Sequence, residues 1–344
     1  MKFLRFGALL LAALALAGCS GEQKYVQISG YAQGGEYYVT CSIPSQRQFE
    51  PLKKAINDTL SAIDWSVSGY NSGSLITRIN SGERAPLDSI FIDLFEMSRR
   101  FYAESGGAVD VTCGPLFDLW GFGFRESRMP SQSAVDSAMA LVGIDRFSIE
   151  TGADGKSYLN MPEGGSINFN AIAQGYSCDA VAAVLEAFGC RNYMVSLGGE
   201  LVCKGSSARG GKWRVWIDRP EDGNMQPGAL KQDIISVTDC GLVTSGNYRK
   251  YYIVDGQKYS HTIDPTTGSP VTHDLLSATV VAEDSATADA MATAMMVLGP
   301  EKGRALAEKW MADPAMHRGV YLVYGTQDNM LTWHTPGLEL ESGN

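Results

Sequence analysis

Basic side chains and histidines are scarce in this sequence. Its 344 residues include 28 Lys and Arg against 38 Asp and Glu, a formal net charge of −10, and only four histidines. Because nucleic-acid binding depends on clustered Lys and Arg that displace counterions, nucleic acid is excluded as an expected partner. No two histidines stand at metal-ligand spacing, which argues against a histidine-rich zinc site.

Common cofactor and redox signatures are also missing. No two cysteines form Cys-x-x-Cys, so neither a zinc ribbon nor a thioredoxin-like site is expected. Gly155-Lys156-Ser157 has Glu150 where a phosphate-binding loop needs its first glycine. Gly121-Phe122-Gly123 lacks the third glycine of a dinucleotide fingerprint. An anionic ligand would therefore have to be held by a metal ion or by backbone NH groups.

The amino-terminal segment has the composition of an export signal. Lys2 and Arg5 precede an apolar run over residues 6–17, which is shorter than a membrane-spanning helix. The run ends in Leu16-Ala17-Gly18-Cys19, which resembles the bacterial lipobox, where the cysteine is lipid-modified (palmitate-type chains) and becomes the new amino terminus. An ordinary cleaved signal followed by a chance cysteine is the alternative.

We therefore predict a signal peptide over residues 1–18 and a lipid anchor at Cys19. The body of the protein would lie on the periplasmic side of a bacterial membrane. The inner membrane is the first choice, and the outer membrane stays open. Residues 19–29 are predicted to be a polar tether, and residues 30–344 a single domain in which a division into two subdomains is left open.

The spacing of apolar residues indicates mixed helices and strands. It predicts helices over 49–63, 91–102, 133–142, 176–188, 285–298 and 302–310, with Ser285 as the N-cap of the fifth, and a structured loop region over 104–130. It predicts strands over 31–43, 193–197, 200–204, 213–217, 275–282 and 319–323. Because these elements do not follow a regular β-α-β order, we predict an α+β fold with mixed or antiparallel sheets and packed helices.

A predicted hairpin over residues 249–263 carries His261. Asp255-Gly256 is a favoured two-residue turn between its alternating segments. Alternation places His261 and Ile263 on one face, together with two tyrosines. Because histidine titrates near neutral pH, His261 is a candidate proton acceptor, and a structural histidine on an aromatic face fits the sequence equally well.

Two further patterns suggest a site for a cation or an anion. Asp289 and Thr293 stand four residues apart on a predicted helix, and their oxygens are hard ligands that suit Mg²⁺. From spacing alone, a buried pair that bonds to itself or to the backbone is the stronger interpretation. The run 168–175 is predicted to be a strand that enters a helix, which suits either an anion site or an ordinary junction.

Six cysteines follow Cys19 and allow 15 disulfide pairings. Several of them lie in apolar runs, where buried thiols are as plausible as disulfides. The sequence favours no pairing.

Taken together, these segments resemble the ApbE family, the bacterial FAD:protein FMN transferases. The resemblance spans about residues 30–299 in fixed order. The matching stretches are Gly30-Tyr31-Ala32-Gln33-Gly34, Ser68-Gly69-Tyr70-Asn71 with Ser74 and Asn80, Ser105 to Thr112, Gly114-Pro115, Trp120 to Gly123, Ala171 to Asp179, Ser196 to Gly199, Thr244 to Tyr248, Ser260 to Pro265 with Gly268, and Ala288-Asp289-Ala290 with Thr293.

The resemblance implies an ApbE-like (T-fold-like) α+β architecture with FAD as substrate and Mg²⁺ as the metal. It implies transfer of FMN from FAD to a Thr or Ser hydroxyl of a target protein, with release of AMP. Targets would be flavin-carrying subunits of ion-pumping redox complexes and other exported flavoproteins. The implied site residues are, for the metal, the carbonyl of Ala171, Asp289 and Thr293; for FAD, Gln33, Tyr70, Ala108, Val109, Asp110, Asn168, Gln174 and Ile263; and, as catalytic base, His261.

The sequence departs from the family pattern at three positions. Asn168 stands where the family usually has Asp, Gln174 where it often has Lys or Glu, and Ala292 where it often has Ser or Asp. An asparagine can still form hydrogen bonds, but it has no charge with which to pair a cation. The implied flavin contacts therefore rest on a weaker match than the implied metal ligands.

Two other functions stay open at this point. A Mg²⁺-dependent FAD pyrophosphatase would use water and release FMN and AMP. A non-catalytic flavin-binding lipoprotein would show no turnover. Metal-dependent release of AMP separates an enzyme from a binder, and covalent flavin on an acceptor separates a transferase from a hydrolase.

Overall fold

The computed structural model describes residues 24–123, 129–224, 228–313 and 316–342. Its strands are β1 (Tyr25–Ala32), β2 (Gly35–Ser42), β3 (Ser148–Thr151), β4 (Ser157–Asn160), β5 (Tyr193–Leu197), β6 (Glu200–Lys204), β7 (Trp213–Asp218), β8 (Lys231–Val237), β9 (Cys240–Gly246), β10 (Tyr251–Val254), β11 (Gln257–Ser260), β12 (Ile263–Asp264), β13 (Ser269–Pro270), β14 (Leu275–Ala282), β15 (Gly319–Thr326), β16 (Asn329–His334) and β17 (Leu340–Ser342). Its α-helices are α1 (Phe49–Val67), α2 (Leu75–Asn80), α3 (Ser89–Glu104), α4 (Gly114–Leu119), α5 (Gln132–Met139), α6 (Ala173–Ala187) and α7 (Ser285–Ala312). The predicted α+β class is confirmed.

Eight strands form one antiparallel sheet in the order β1-β2-β5-β6-β9-β14-β15-β16. Alternate side chains of a strand point to opposite faces, so each inner strand contributes to two layers. In β15, Val320 and Leu322 pack into the core that the helices cover, whereas Tyr321 and Val323 pack against the smaller sheet of β17, β8 and β7. The large sheet therefore lies between a layer of helices and a small sheet.

Helix α7 lies against β9 and β14 in the centre of the helical layer. Five alanines in its first half are fully buried, at positions 286, 288, 290, 292 and 294. These small side chains allow other backbone segments to approach α7 closely. Gly175 of α6 has the same role on the other side of the contact. A Cβ built on Gly175 of α6 would overlap the carbonyl oxygen of Ser285 and lie 2.8 Å from the Cα of Ala286. The starts of α6 and α7 are therefore in backbone contact.

The ends of α7 partly follow the sequence prediction. The N-cap is Asp284, whose side chain accepts the N–H of Thr287 at 2.7 Å, so the assignment of Ser285 as the cap is wrong by one residue. The predicted stop is present, because Gly299 has φ 77° and interrupts the helical backbone before the chain continues to Ala312. Asp and Ser are both good capping residues, so composition alone does not choose between neighbours.

Other segments differ from the prediction for identifiable reasons. β1 begins at Tyr25, so the tether predicted over 19–29 is wrong for its last five residues. This edge strand was missed because Ile28 is its one buried residue, so its sequence resembles a polar linker. The strand predicted over 31–43 is a turn followed by β2, because Gln33 and Gly34 have φ of 50° and 79°. β9 was missed since its first four residues are all buried, which hides the alternation. Helix α4 lies inside the loop region predicted over 104–130.

No helix in the described ranges is both long enough and apolar enough to cross a bilayer. The predicted signal peptide over 1–18 and the predicted lipidation site at Cys19 lie outside the described residues.

Candidate functional site

The segment before α6 is a turn rather than the strand predicted from sequence. The N–H of Asn168 donates to the carbonyl of Val111 at 2.7 Å, and Oδ1 of Asn168 accepts the N–H of Asn170 at 2.8 Å. The side chain of Asn168 is thus engaged in a local turn of its own. The backbone bond to Val111 ties this turn to the loop that carries Ala108, Val109 and Asp110.

The first turn of α6 is joined to α7 through a carboxylate. Gly175 is the third residue of α6, so its N–H has no partner within the helix. It donates to Oδ2 of Asp289 at 3.1 Å. Ala171 lies four residues before Gly175, just ahead of the start of α6.

Asp289 is almost completely buried, and Thr293 follows it by one turn on the same face of α7. Burial raises the pKa of the Asp289 carboxyl well above its usual range, and the nearby charge of Glu200 raises it further. A desolvated carboxylate next to a second one is what a bound cation would stabilise. A carboxylate, a hydroxyl and a carbonyl oxygen are the hard donors that Mg²⁺ takes alongside water or phosphate oxygens.

Within the described residues, no group of three or more His, Cys, Asp and Glu side chains is arranged to hold a metal ion.

Glu200 is a site residue that the sequence predictions missed. It begins β6 directly after Gly198 and Gly199, and its Oε2 is buried with no hydrogen-bond partner in the described part of the chain. Burial raises the pKa of this carboxyl to about 7. The signal that could have revealed it is an acidic residue directly after a Gly-Gly pair within the motif-like stretch 196–199.

Gly198 explains how Gln174 joins this group. Its φ is 69°, and a Cβ there would overlap Nε2 of Gln174 and lie 3.0 Å from Oε2 of Glu200. The amide of Gln174 and the carboxylate of Glu200 therefore approach each other over a residue that must lack a side chain. We call Ala171, Gln174, Glu200, Asp289 and Thr293 the α6–α7 centre.

Asp179 fixes the two helices that carry this centre. Its Oδ1 accepts the N–H of Ser285 at 2.9 Å, and its Oδ2 accepts the N–H of Ala286 at 2.8 Å. A side chain of α6 thus satisfies the free amides at the start of α7. Burial raises the pKa of the Asp179 carboxyl to about 7.

Gln33 lies beside the same helix. It occupies the β1–β2 turn, and its Nε2 donates to Oγ of Ser177, one turn beyond Gln174 on α6, at 2.6 Å. The structure therefore brings Gln33 close to the α6–α7 centre although 141 residues of sequence separate it from Gln174.

Ala108, Val109 and Asp110 lie in a buried loop after α3. The N–H of Val109 donates to Oγ of Ser105 at 3.0 Å. Oδ1 of Asp110 accepts both the N–H and the hydroxyl of Thr112, at 2.9 and 2.6 Å. Burial is the main cause that raises the pKa of the Asp110 carboxyl, and these bonds oppose it. The loop is thus held rigidly next to Asn168.

The hairpin that carries His261 has the predicted register. Tyr252 lies opposite Tyr259, and Val254 lies opposite Gln257. Phe122 stacks on Tyr252 with ring centroids 5.1 Å apart, and Trp120 stacks on Tyr259 at 6.0 Å. We call Trp120, Phe122, Tyr252 and Tyr259 the aromatic panel.

His261 lies at the edge of this panel, with its ring 6.5 Å from that of Phe122. Its Nδ1 is 3.1 Å from the carbonyl oxygen of Lys250. Because a carbonyl only accepts, Nδ1 must carry the proton, and the neutral ring keeps a lone pair on Nε2. Burial lowers the pKa of His261 to about 4, so the ring is neutral near pH 7. His261 therefore has the protonation state of a base.

Ile263 connects the hairpin to the Asp110 loop. It is 4% exposed and packs in one cluster with Cys113, Leu116 and Trp120. Nε1 of Trp120 also donates to the carbonyl of Gly268 at 2.8 Å. Tyr70 lies in the turn between α1 and α2 and is 68% exposed, so its ring can be reached by a ligand from solvent.

The predicted site residues thus fall into three neighbourhoods. The α6–α7 centre, with Gln33 beside it, joins the Asp110 loop through Asn168, and the Asp110 loop joins the hairpin through Ile263. Tyr70 lies on the exposed turn between α1 and α2. An open cavity of about 500 Å³ lies elsewhere, between residues 79–85 and 159–165, and contains no predicted site residue.

The antiparallel α+β fold packs α6 against α7, with the buried carboxyl of Asp289 at their contact. The family is shown by comparison with known sequences. The ApbE family pattern matches residues 27–316, so the chain belongs to the ApbE family.

Characterised relatives resemble the chain along nearly its whole length. The FAD:protein FMN transferase of Escherichia coli K12 is 32% identical over 96% of this chain and 95% of its own. The enzyme of the same name from Vibrio cholerae is 35% identical over 87% of this chain and 89% of its own. The crystal structure of Pseudomonas stutzeri flavinyl transferase ApbE, in its apo form, superposes with a TM-score of 0.78 at 33% identity, covering 91% of this chain and 95% of that one.

Proposed function

We propose that this chain is an FAD:protein FMN transferase. It moves FMN from FAD to a Thr or Ser hydroxyl of a target protein, forms a phosphoester-linked flavin, releases AMP and depends on Mg²⁺. The flavin-transfer activity is supported by relatives of that name that match nearly the full chain. The observation that carries the mechanism is the bond from Gly175 N–H to Asp289, which joins the start of α6, just after Ala171, to a buried carboxylate of α7.

Asp289, Thr293 and the carbonyl of Ala171 would hold the metal ion. The fit rests on their donor chemistry and on two neighbouring buried carboxyls, Asp289 and Glu200, whose pKa values are raised by burial. When bound, Mg²⁺ would neutralise charge on the diphosphate of FAD. The negative net charge of the chain makes such neutralisation necessary for an anionic substrate.

His261 is proposed to take the proton of the attacking hydroxyl. Its Nε2 keeps a lone pair because Nδ1 donates to Lys250. A positioned base contributes typically about 10²–10⁴-fold to a rate. The packing of Ile263 beside the Asp110 loop holds the hairpin against the proposed flavin site.

Neutral donors and backbone groups are proposed to bind FAD. Gln33, Asn168 and Gln174 carry amides, Ala108, Val109 and Asp110 form a rigid loop, and Tyr70 and Ile263 offer apolar contact. Because Asn168 and Gln174 are uncharged, they would orient the substrate through hydrogen bonds rather than by ion pairing.

The acceptor is proposed to be another protein, such as a flavin-carrying subunit of an ion-pumping redox complex. No Asp-x-x-Ser/Thr-Gly-Ala-Thr stretch of the kind that family targets carry occurs in this chain. Lipid anchoring through Cys19 would place the enzyme beside such membrane-bound acceptors. Replacement of Cys19 by Ala should yield an unlipidated protein that leaves the membrane fraction, and a mutant that still carries lipid and fractionates like wild type would contradict the anchor.

The transferase is tested by incubating the protein with FAD, Mg²⁺ and a candidate acceptor that carries the target stretch, followed by intact-mass analysis. We expect the acceptor to gain the mass of FMN less one water, and AMP to appear in equal amount. An acceptor whose target Thr is replaced by Val is the matched control. AMP release without acceptor modification would identify a pyrophosphatase, and FAD binding without AMP release would identify a binding protein.

A further inference from the structure

The six described cysteines are all buried thiols, but they are not evenly distributed. Four of them form two pairs, and the members of each pair lie in the same apolar cluster. Cys41 and Cys190 belong to the cluster between β2, β5 and helices α1 and α6. Cys203 and Cys240 belong to the cluster between the two sheets.

Cys203 and Cys240 lie directly opposite each other on antiparallel strands β6 and β9. Opposite residues of an antiparallel pair have Cα atoms about 4.5–5.5 Å apart, which falls within the 4.4–6.8 Å span of disulfides. Both side chains pack into the same apolar cluster, and each thiol perturbs the pKa of the other. The pair therefore needs no backbone movement to be bridged.

Cys41 and Cys190 are far apart in sequence but also meet. Cys41 lies near the end of β2, and Cys190 lies in the turn between α6 and β5, where its N–H donates to the carbonyl of Leu185 at 2.9 Å. They are 0% and 2% exposed, and each thiol perturbs the pKa of the other. The N–H of Ser42, beside Cys41, donates to the carbonyl of Asn192, two residues after Cys190, at 2.8 Å.

The other two cysteines have no cysteine partner of this kind, although Cys178 lies in the same apolar cluster as Cys41 and Cys190. Sγ of Cys178 donates to the carbonyl of Glu200 at 3.4 Å. Cys113 packs among Leu116, Trp120 and Ile263. These two serve as internal controls for any chemistry of the pairs.

We propose that the mature protein contains two disulfide bonds, Cys41–Cys190 and Cys203–Cys240, and that Cys113 and Cys178 stay thiols. The proposal rests on the export proposed above, because disulfides persist in compartments outside the cytosol. One bond ties β2 to the turn that follows α6. The other ties β6, which begins with Glu200, to β9. Both bonds would brace the strands beneath the α6–α7 centre.

Each bond forms by thiol–disulfide exchange with an oxidised disulfide donor. A thiolate of the pair attacks the donor disulfide and displaces one donor thiolate, which leaves a mixed disulfide. The second thiolate then attacks the protein sulfur of this mixed disulfide and displaces the other donor thiolate. Two protons leave the thiols, two electrons pass to the donor, and the donor ends as a dithiol. Because all four cysteines are buried in the folded chain, exchange takes place before folding closes over them.

The test is differential alkylation of the full chain, isolated from the membrane fraction of a host that processes its signal. After acid quenching, denaturation and iodoacetamide treatment without reductant, we expect two of the six cysteines to be alkylated, and all six after reduction. Non-reduced peptide mapping should show peptides linked 41–190 and 203–240. Six alkylated cysteines without reductant, or a different pairing, would overturn the proposal.

A refolding arm separates failed export from wrong geometry. The reduced, denatured chain is refolded with oxidised glutathione, independent of any membrane or signal. We expect the same two linkages to form, and their absence here overturns the proposal whatever the location of the protein. Cys113→Ser should retain both linkages, and the double variant Cys203→Ala/Cys240→Ala should retain only 41–190. If that variant does not fold, peptide mapping of the refolded wild-type chain alone tests whether the linkages 41–190 and 203–240 form.

Discussion

The α6–α7 centre and the His261 hairpin are built in opposite ways. The centre lies where two helices touch through Gly175, and backbone amides bind both Asp289 and Asp179. The hairpin is a separate two-stranded sheet, held by the aromatic panel and by an ion pair of 2.8 Å between Arg249 and Asp218. Two isolated strands are only marginally stable by themselves. The comparison teaches that the buried carboxyls lie in the rigid helical layer, whereas the proposed proton acceptor lies on a two-stranded element positioned by ring packing and one ion pair.

The largest expected effect tests the rigid side of this comparison. In Asp289→Asn, the amide oxygen can still accept the N–H of Gly175, but the anionic ligand is lost. We expect turnover to fall by more than ~100-fold, beyond the ~10–100-fold typical of an outer-shell partner of a metal. Calorimetric titration of Mg²⁺ without FAD should show weakened binding, and the unfolding temperature should hold. Asp328→Asn, at an exposed position, is the control. Unchanged Mg²⁺ affinity would remove Asp289 from the centre.

The second effect tests the packed side. In His261→Ala, a group that acts only during proton transfer is removed, so kcat should fall by about 10²–10⁴-fold while the affinity for FAD stays similar. Steady-state kinetics measure kcat, and an equilibrium titration with FAD measures the affinity for FAD. His317→Ala removes an exposed histidine and should change neither. A parallel collapse of FAD affinity would make His261 a binding residue, and no change in either would make it structural.

The two regions also differ in how far the sequence predicted them. The hairpin was predicted in register, since the Asp255-Gly256 turn and local alternation specify it without long-range information. The pairing of Asp289 with Thr293 follows from helix periodicity. Neither Glu200 nor the contact of Gly175 with Asp289 was predicted, because both depend on how α6, α7 and β6 meet in space. The spacing of residues within one segment carries no information on tertiary contacts between segments that are distant in sequence.

A third, smaller effect probes the approach of Gln174 to Glu200. In Gly198→Ala, a residue with a Cβ must adopt the left-handed φ of Gly198, which lowers the free energy of unfolding by about 1–2 kcal/mol. The added Cβ also displaces the Gln174 amide. Gly210→Ala has a similar φ of 81° with nothing within 4 Å, so it isolates the backbone cost. We expect both variants to lose similar stability, but only Gly198→Ala to weaken FAD binding, on the order of tenfold. Equal FAD affinity in the two variants would exclude Gln174 from the flavin site.

The fourth effect is a pH dependence of stability that belongs to the hairpin and leaves catalysis aside. The pKa of His261 is lowered from its ordinary 6.5 to about 4 by burial. Between these values the unfolded chain binds a proton that the folded chain does not, so stability rises with pH across this window and falls on acidification from 6.5 toward 4. His261→Gln removes this contribution, whereas the carboxylates that titrate nearby remain in both proteins. Chemical denaturation at pH 7 and at pH 4.5 should therefore show wild type losing about 1–3 kcal/mol more than the variant, from the ~1.36 kcal/mol that one pKa unit represents. An identical loss in both proteins would mean that His261 titrates as an exposed histidine and that the hairpin leaves it open to water, which would remove the distinction between the rigid centre and a buried, packed base.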